Sequence, residues 1–207
     1  MGEKLLRIGI LGGTLDPVHH GHLLAASEAQ AAYALDQVLF MPCGLAPHKV
    51  AQAVSLPEHR YLMCVLATAS HPRLRVSRLE IDRGGLSYTV DTLREVRATC
   101  DRACELFFII GADAVLEIDS WHMPDAVLRE ARCIAVPRPG SELGDLPSVL
   151  GEQRASRIET LDLPGLDISA TDIRRRVREG RPIRYLTPDP VVNYITRERL
   201  YLEANQP

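Results

Sequence analysis

The sequence has few aromatic residues, no long apolar run and no large excess of either charge. Aromatic side chains make up 5% of the 207 residues, and the formal net charge is -3. Nonspecific nucleic-acid binding needs a strongly positive surface or a platform for base stacking, so we expect no nucleic-acid partner. No apolar stretch approaches the roughly 20 residues that span a bilayer, so we also expect no membrane partner.

Cysteine is scarce, and its spacing does not indicate a disulfide framework. The five cysteines are an odd number and are scattered along the chain, at Cys43, Cys64, Cys100, Cys104 and Cys133. Such a set is typical of a reduced protein, and no small-residue cleavage site of a signal peptide follows the N-terminal apolar run. We therefore expect a cytoplasmic protein.

Short apolar runs alternate with amphipathic stretches along the whole sequence. The length and composition predict a single domain over residues 1–207. The alternation predicts an α/β fold built from βα units with a mostly parallel sheet. Predicted strands cover residues 5–11, 36–42, 74–81, 105–111, 132–138 and 158–163, and predicted helices cover about 22–35, 58–70, 89–99, 124–131, 170–179 and 189–200.

The stretch GGTLDPVHHGH, residues 12–22, follows the first predicted strand and precedes the first helix. Gly12 and Gly13 allow a tight turn and a close approach of a ligand to the backbone. The helix N-terminus favours an anion, and His19 and His22 would present N–H donors on one face of its first turn. The spacing matches neither G-x-G-x-x-G nor G-x-x-x-x-G-K-[ST], so a dinucleotide fingerprint and a P-loop are not predicted.

A zinc site is the alternative interpretation of this histidine-rich loop, since His19, His20 and His22 lie close together. Helical zinc ligands usually stand four residues apart, and only Cys100 and Cys104 have a comparable spacing elsewhere. The pattern favours an anion site with no resident metal. We expect the two cysteines to pack at a helix end.

Two further segments carry cationic groups that suit phosphate. Lys49, in the loop after the second strand, is either a mobile cation beside phosphates or a solvated lysine. In ISATDIRRRVREG, Ser169 is a candidate N-cap, Asp172 completes an approximate capping box and Gly180 ends the helix. Arg174 lies in the first turns, where a guanidinium and the N-terminal amides could grip a triphosphate together. We expect the neighbouring arginines, Arg175, Arg176 and Arg178, to form a solvated face.

The strand that ends at Gly111 is followed by residues suited to a nucleotide. Asp113 would lie at the carboxyl end of that strand, where a carboxylate can accept hydrogen bonds from ribose hydroxyls. Trp121 is the sole tryptophan. Composition alone favours a core or interface position for it.

The loop at 12–22 resembles the signature of the nucleotidylyltransferase superfamily, with its H-x-G-H pair at His19-His20-Gly21-His22. The resemblance implies a Rossmann-like, three-layer, doubly wound fold with a C-terminal helical portion. It also implies transfer of a nucleoside monophosphate from a nucleoside triphosphate. Leu15 departs from the usual phenylalanine, which changes packing. The segment ISATDIR is similar to the I-S-S-T-x-I-R motif, with Ala170 in place of a serine. Together with the segment at Gly111 and Asp113, the two motifs imply ATP-binding residues at Gly12, Gly13, Thr14, Asp16, His19, His22, Gly111, Asp113, Ile168, Ser169, Thr171 and Arg174.

The segments GGLSYTVDTL and IIGADAVLEIDSWH resemble the nicotinate mononucleotide adenylyltransferase family, and matching motifs run from residue 8 to about 195. The resemblance implies a tryptophan, Trp121, stacked on the pyridine ring, and main-chain N–H groups near Thr89 and His122 that receive the nicotinate carboxylate. The implied residues for nicotinate mononucleotide are Lys49, Ser87, Tyr88, Thr89, Trp121 and His122. The implied catalytic residues are His19, His22, Lys49 and Arg174, with Mg²⁺ carried by the substrate ATP.

Two alternative functions remain open at this point. One is a sister adenylyltransferase that acts on nicotinamide mononucleotide or phosphopantetheine. The other is a noncatalytic nucleotide sensor, which is disfavoured because a pure sensor does not need the cations Lys49 and Arg174 at a leaving group. The sequence leaves open whether the chain forms a homo-oligomer.

Overall fold

A computed structural model describes residues 5–46, 54–137, 144 and 146–202. Six parallel strands form one sheet in the order β3-β2-β1-β4-β5-β6. The strands are β1 (Leu6–Gly13), β2 (Gln37–Pro42), β3 (Leu74–Val76), β4 (Cys104–Gly111), β5 (Arg132–Val136) and β6 (Ile158–Thr160). The predicted parallel α/β sheet is confirmed.

Helices cover both faces of this sheet, which is why its central strands are continuous apolar runs rather than alternating ones. The described helices are α1 (His20–Ala32), α2 (Pro57–Thr68), α3 (Leu79–Arg83), α4 (Thr89–Ala98), α5 (Ala112–Leu116), α6 (Pro124–Glu130), α7 (Leu146–Leu150), α8 (Glu152–Ala155), α9 (Ala170–Arg178) and α10 (Asp189–Arg197). Within these ranges no helix is long and apolar enough to cross a bilayer.

The buried apolar side chains fall into two clusters, one on each face of the sheet. The first contains Ala26 of α1, Met63 of α2, Ile173 of α9 and Ile195 of α10. The second contains residues of α4 and α6, among them Leu93. The three-layer, doubly wound arrangement with a C-terminal helical portion is therefore confirmed.

Two predicted strands were too long: the strand at 158–163 ends at Thr160, and the strand at 74–81 was wrong over more than half its length. The run at 74–81 pairs with β2 over Leu74–Val76 only, and α3 follows. The chain leaves the sheet at Ser77, whose hydroxyl accepts a hydrogen bond from the N–H of Leu79 at 3.2 Å. Arg78 then pairs with Asp82 one helical turn later at 3.1 Å, an interaction that favours helix over strand.

Strands β1 and β4 lie side by side at the centre of the sheet, with Leu11 paired to Ile109. The chain winds outward from β1 in one direction and from β4 in the other, so the sheet has its switch point between them. Ligands of doubly wound folds bind at the carboxyl ends of the strands beside such a switch point. The loop after Gly13 and the loop after Gly111 both start there.

Candidate active site

The loop after β1 delivers two histidines to the N-terminus of α1. His19 is the N-cap residue and is 3% exposed, while His22 lies half-buried in the first turn. The N–H of His19 donates to Nδ1 of His22 at 3.2 Å, and the two ring centroids are 3.7 Å apart. Because Nδ1 accepts, the ring proton of His22 is on Nε2. His22 therefore offers an N–H donor at the positive end of the α1 helix dipole.

The packing of the loop leaves little room for a side chain at Gly21, between these histidines. A Cβ at this position would lie 3.1 Å from the His19 ring and 3.9 Å from the carbonyl oxygen of Ile168. A larger residue would thus push the imidazole out of place. The same contact shows that the segment before α9 lies directly against the start of α1.

Helix α9 brings Arg174 to the first loop, as the sequence pattern predicts. Its Nη1 donates to the backbone carbonyl of Asp16 at 2.6 Å, and its Nη2 donates to the Thr171 hydroxyl at 3.2 Å. Ser169 caps the helix by accepting from the N–H of Asp172 at 3.1 Å. Two helix N-termini and one guanidinium therefore meet at the end of β1, an arrangement that can bind several phosphate oxygens.

The predicted capping box forms only in part. The Asp172 carboxylate turns away from the N-cap and pairs with Arg175 and with Arg176, the latter at 2.6 Å. These hydrogen bonds hold the pKa of Asp172 below its usual range. Arg175 and Arg178 are exposed, in agreement with the predicted solvated face, whereas Arg176 is half-buried. Gly180 follows the helix end with a φ of +65°.

Asp16 uses its carboxylate inside the protein. It is 2% exposed, accepts from the Ser55 N–H at 3.0 Å and accepts from the Tyr201 hydroxyl at 2.7 Å. A contact between this residue and ATP would therefore have to come from its backbone or from the loop that it holds. Its carbonyl group is the acceptor for Arg174 described above.

The residues before α4 pack against the loop after β2. Ser87 is buried, accepts from the N–H of Gly44 at 3.1 Å and donates its own N–H to the carbonyl of Leu45 at 2.9 Å. Tyr88 is the N-cap residue of α4, and Thr89 is its first residue. The first amides of this helix consequently lie near the carboxyl end of the sheet, where they can receive a carboxylate.

Trp121 and His122 reach the same region from the far side of β4. The Tyr88 and His122 rings are 4.4 Å apart, and Trp121 packs edge-on against Phe108 at 6.0 Å. Trp121 is half-buried against the second core cluster, as composition alone indicated. Its geometry leaves part of the indole accessible. The structure thus brings together the predicted residues 87–89 and 121–122.

Gly111 and Asp113 lie where the sequence placed them. Gly111 ends β4 and is the N-cap residue of α5, and Asp113 is exposed in the first turn of that helix. Both follow the strand next to β1, on the same edge as Gly12 and Gly13.

A cavity of about 350 Å³ opens between the first loop and the segment before α4. Its walls include Thr14, Gly44, Arg60, Gly84 and Gly85. It therefore connects the predicted phosphate-binding loop with the loop that precedes Ser87. A ligand that spans both could place a phosphate near Thr14.

Arg60 is a buried cation that the sequence analysis did not identify. It is 1% exposed and donates to the carbonyls of Thr14 at 2.9 Å, Gly44 at 3.1 Å and Ser55 at 3.0 Å. It therefore ties three loops of the site together. The available signal was its place on the apolar side of α2, with Met63, Cys64 and Ala67.

Glu80 is another buried ionisable group, at the site's edge. It accepts from the Thr92 hydroxyl at 2.7 Å, and Arg83 donates to the same hydroxyl at 3.1 Å. Burial raises the pKa of Glu80, while hydrogen bonds from Thr92 and Ser87 act in the opposite direction. Helix α3 is packed closely here, since a Cβ on Gly44 would lie 2.6 Å from the Glu80 carbonyl oxygen.

Lys49 lies outside the described residues. Within the described part of the chain, no group of three or more histidine, cysteine or acidic side chains is placed to hold a metal ion. The five cysteines are all free thiols. Burial and the neighbouring Cys104 raise the pKa of Cys100 to about 11, which fits packing at the end of α4.

Comparison with known proteins decides the family. The profile of the family described as "Cytidylyltransferase-like" matches residues 10–176. A protein of Saccharopolyspora erythraea named "Probable nicotinate-nucleotide adenylyltransferase" is 49% identical over 196 residues, covering 94% of this chain and 89% of the relative. A protein of the same name from Thermoanaerobacter sp. is 45% identical over 202 residues and covers 96% of each chain. The chain belongs to the nicotinate-nucleotide adenylyltransferase family.

Solved structures support the same fold. The Plasmodium falciparum nicotinic acid mononucleotide adenylyltransferase complexed with NaAD superimposes with a TM-score of 0.76 at 17% identity, covering 95% of this chain and 97% of that one. A second structure of that enzyme, complexed with APC, gives a TM-score of 0.71 at 16% identity. The likeness confirms the Rossmann-like architecture inferred from the motifs.

Two positions of this family member differ from the motif pattern. Leu15 is 3% exposed, so it fills a core position in the first loop. Ala170 is the first residue of α9 and follows the capping Ser169. The loss of a hydroxyl at Ala170 leaves the cap itself intact.

Proposed function

We propose that this chain transfers the adenylyl group of ATP to nicotinate mononucleotide, forming nicotinate adenine dinucleotide and pyrophosphate. Two observations together support the proposal: the near-full-length relatives named nicotinate-nucleotide adenylyltransferase, and the geometry of the candidate site. In that geometry the His19 to His22 turn and Arg174 both face the end of β1. Each part of the reaction has a group suited to it.

The chemistry needs no nucleophile from the protein. The 5'-phosphate of nicotinate mononucleotide is ionised at neutral pH, and one of its oxygens attacks the α-phosphorus of ATP in line. The new P–O bond forms as the bond to the bridging oxygen of pyrophosphate breaks, so no net proton transfer is required. Catalysis then depends on positioning, potentially worth about 7–11 kcal/mol, and on charge stabilisation.

The phosphate oxygens of ATP bind between the two helix N-termini. The Nε2–H of His22 donates to the α-phosphate, where charge develops in the transition state. His19 steadies the same group from the N-cap position. Arg174 neutralises the leaving pyrophosphate, and Lys49 assists from the loop after β2. Mg²⁺ enters with ATP as part of the substrate.

The acceptor binds at the other side of the switch point. The nicotinate ring stacks on Trp121, and its carboxylate accepts from the backbone N–H groups near Thr89 and His122. Ser87 fixes this segment through its hydrogen bonds to the loop after β2. Because the NH2 of an amide would face one of these N–H donors and leave it unpaired, nicotinamide mononucleotide is the poorer substrate by a large factor.

The fate of the α-phosphorus tests the reaction class. With ATP labelled at the α-phosphorus and nicotinate mononucleotide as acceptor, the label is expected in the dinucleotide and unlabelled pyrophosphate is expected beside it. Label in free AMP or in unreacted ATP alone would contradict adenylyl transfer. ATP binding without any product would instead favour the sensor.

A further inference from the structure

Three segments that are far apart in the sequence meet at the carboxylate of Asp16. Tyr201 lies 185 residues away and donates its hydroxyl to Oδ1 at 2.7 Å. Ser55 lies 39 residues away and donates its N–H to Oδ2 at 3.0 Å. Both oxygens of a side chain that is 2% exposed are therefore held by the protein. The C-terminal turn and the start of α2 are thereby attached to the loop that carries His19.

Tyr201 is built into this position. It follows α10 with a φ of +67°, a backbone conformation that non-glycine residues rarely adopt, and its side chain is 8% exposed. Its hydroxyl also contacts the sulfur of Met63 at 3.8 Å. Burial and the adjacent carboxylate raise the pKa of Tyr201 well above its ordinary value, so the hydroxyl remains a donor.

The same C-terminal region holds the other end of the loop. The hydroxyl of Thr187, which is fully buried, donates to the carbonyl of Val18 at 2.8 Å. The N–H of His20 donates to the carbonyl of Leu186 at 3.0 Å. The loop from Asp16 to His20 is thus fixed at both ends by residues that follow α9.

The contact with Arg174 connects this anchoring to the chemistry. Arg174 donates to the carbonyl of Asp16 at 2.6 Å, so the position of that peptide group determines where its guanidinium lies. The Asp16 carboxylate fixes the same residue from its other side. A shift of the carboxylate would therefore move the acceptor on which Arg174 is oriented.

We propose that Tyr201 is a positioning residue for adenylyl transfer, acting through Asp16 to fix the guanidinium of Arg174 against the triphosphate of ATP. The inference rests on the proposed function in that the role of Arg174 is to neutralise the leaving pyrophosphate. The ligand on which Tyr201 acts is a nucleoside triphosphate, so the proposal is the same for any acceptor.

The first test replaces one hydroxyl at a time. Tyr201→Phe is expected to lower kcat/KM for ATP about 10-fold and to leave KM for nicotinate mononucleotide within about 2-fold of the wild type, as expected for a displaced phosphate contact. Tyr194→Phe is the matched control. The Tyr194 hydroxyl is hydrogen-bonded to His59 of α2 at 2.8 Å rather than to Asp16. An equal increase in KM for both substrates, or an equal effect of Tyr194→Phe, would overturn the proposal.

The second test separates positioning from general stability. In an Arg174→Ala background, Tyr201→Phe is expected to change kcat/KM for ATP by less than about 2-fold, since the group it positions is gone. The same 10-fold loss in that background would mean that Tyr201 acts on the fold alone. Asp16→Asn, which keeps the shape of the side chain, supplies a second variant with the same expected coupling if Tyr201→Phe does not fold.

A binding measurement tests the role of Tyr201 independently of the proposed function. The dissociation constant of an unreactive ATP analogue with a methylene bridge between the α- and β-phosphorus is measured by calorimetry, without acceptor. Tyr201→Phe is expected to raise it several-fold, and Arg174→Ala is expected to abolish the difference. An unchanged constant would contradict the positioning role. A wild type that binds the analogue but turns over no nicotinate mononucleotide would contradict the proposed function alone.

Discussion

His22 is the side chain whose replacement measures the contribution of the first helix turn. Its Nδ1 accepts from the His19 N–H at 3.2 Å, and the proposed contact with the α-phosphate is through Nε2–H. His22→Ala removes that donor. Loss of one donor to charge that develops in a transition state costs about 3–4 kcal/mol, so kcat is expected to fall by about 10² to 10³. Substrate KM values are expected to change little, because the interaction is strongest in the transition state.

The same replacement also removes the acceptor for the His19 N–H. Loss of an N-terminal capping interaction costs about 1 kcal/mol, which lowers Tm by roughly 2–4 °C in a chain of this size. His22→Gln separates the two effects, since the Oε1 of a glutamine three residues after the N-cap can accept from the His19 N–H, as in a capping box, whereas the imidazole Nε2–H is lost. It is expected to keep most of the loss in kcat while recovering the lower Tm.

His20→Ala is the matched control for His22→Ala. His20 lies in the same helix turn, and its described hydrogen bond to Leu186 uses the backbone N–H, which alanine retains. Steady-state release of pyrophosphate and a thermal melt are measured for each variant. A kcat for His22→Ala within about 3-fold of the wild type would refute the role given to His22, and so would an equal loss in His20→Ala.

Three further predictions concern single side chains. Trp121→Ala is expected to raise KM for nicotinate mononucleotide by about 10-fold or more and to leave KM for ATP unchanged, since ring stacking contributes roughly 1–3 kcal/mol. Both KM values are measured from initial rates, and equal changes in the two would contradict the stacking role. Gly21→Ala is expected to lower kcat several-fold, because the added Cβ would lie 3.1 Å from the His19 ring and displace it. Tm is expected to stay the same or rise, because alanine favours helix. An unchanged kcat would show that catalysis does not depend on the position of the His19 ring. Burial raises the pKa of Glu80 above its ordinary 4.5, so its contribution to stability is full below pH 4.5 and is lost as pH rises through the folded-state pKa. The Tm of Glu80→Gln relative to the wild type should therefore increase with pH above about 4.5 in melts at several pH values, whereas a constant difference would contradict the raised pKa.

Periodicity and turn residues in the sequence were enough to predict most of the fold. Apolar runs bounded by glycine and proline placed the central strands, and the motif at 12–22 placed His19 and His22 on one helix turn. The run at 74–81 failed because periodicity does not distinguish a short strand from a short helix. Ser77 and the pairing of Arg78 with Asp82 end the strand instead.

The buried polar contacts of the site could not be predicted in the same way. Asp16 matched the family motif, yet its partner Tyr201 lies 185 residues away and belongs to no local pattern. Arg60 donates to the backbone carbonyls of three loops. Every residue has a backbone carbonyl, so the sequence does not indicate which ones accept. Such contacts depend on which segments the sheet order brings together, so they follow from the fold rather than from the motifs.

The acceptor preference of the purified protein tests the central claim most directly. Pyrophosphate release is measured with Mg-ATP and, in parallel, nicotinate mononucleotide, nicotinamide mononucleotide or phosphopantetheine. The account predicts that kcat/KM for nicotinate mononucleotide exceeds that for the amide by a large factor, because the NH2 of the amide faces a backbone N–H donor and leaves it unpaired, and that phosphopantetheine is inert. A higher kcat/KM for nicotinamide mononucleotide or phosphopantetheine would contradict the acceptor site built from residues 87–89 and 121–122.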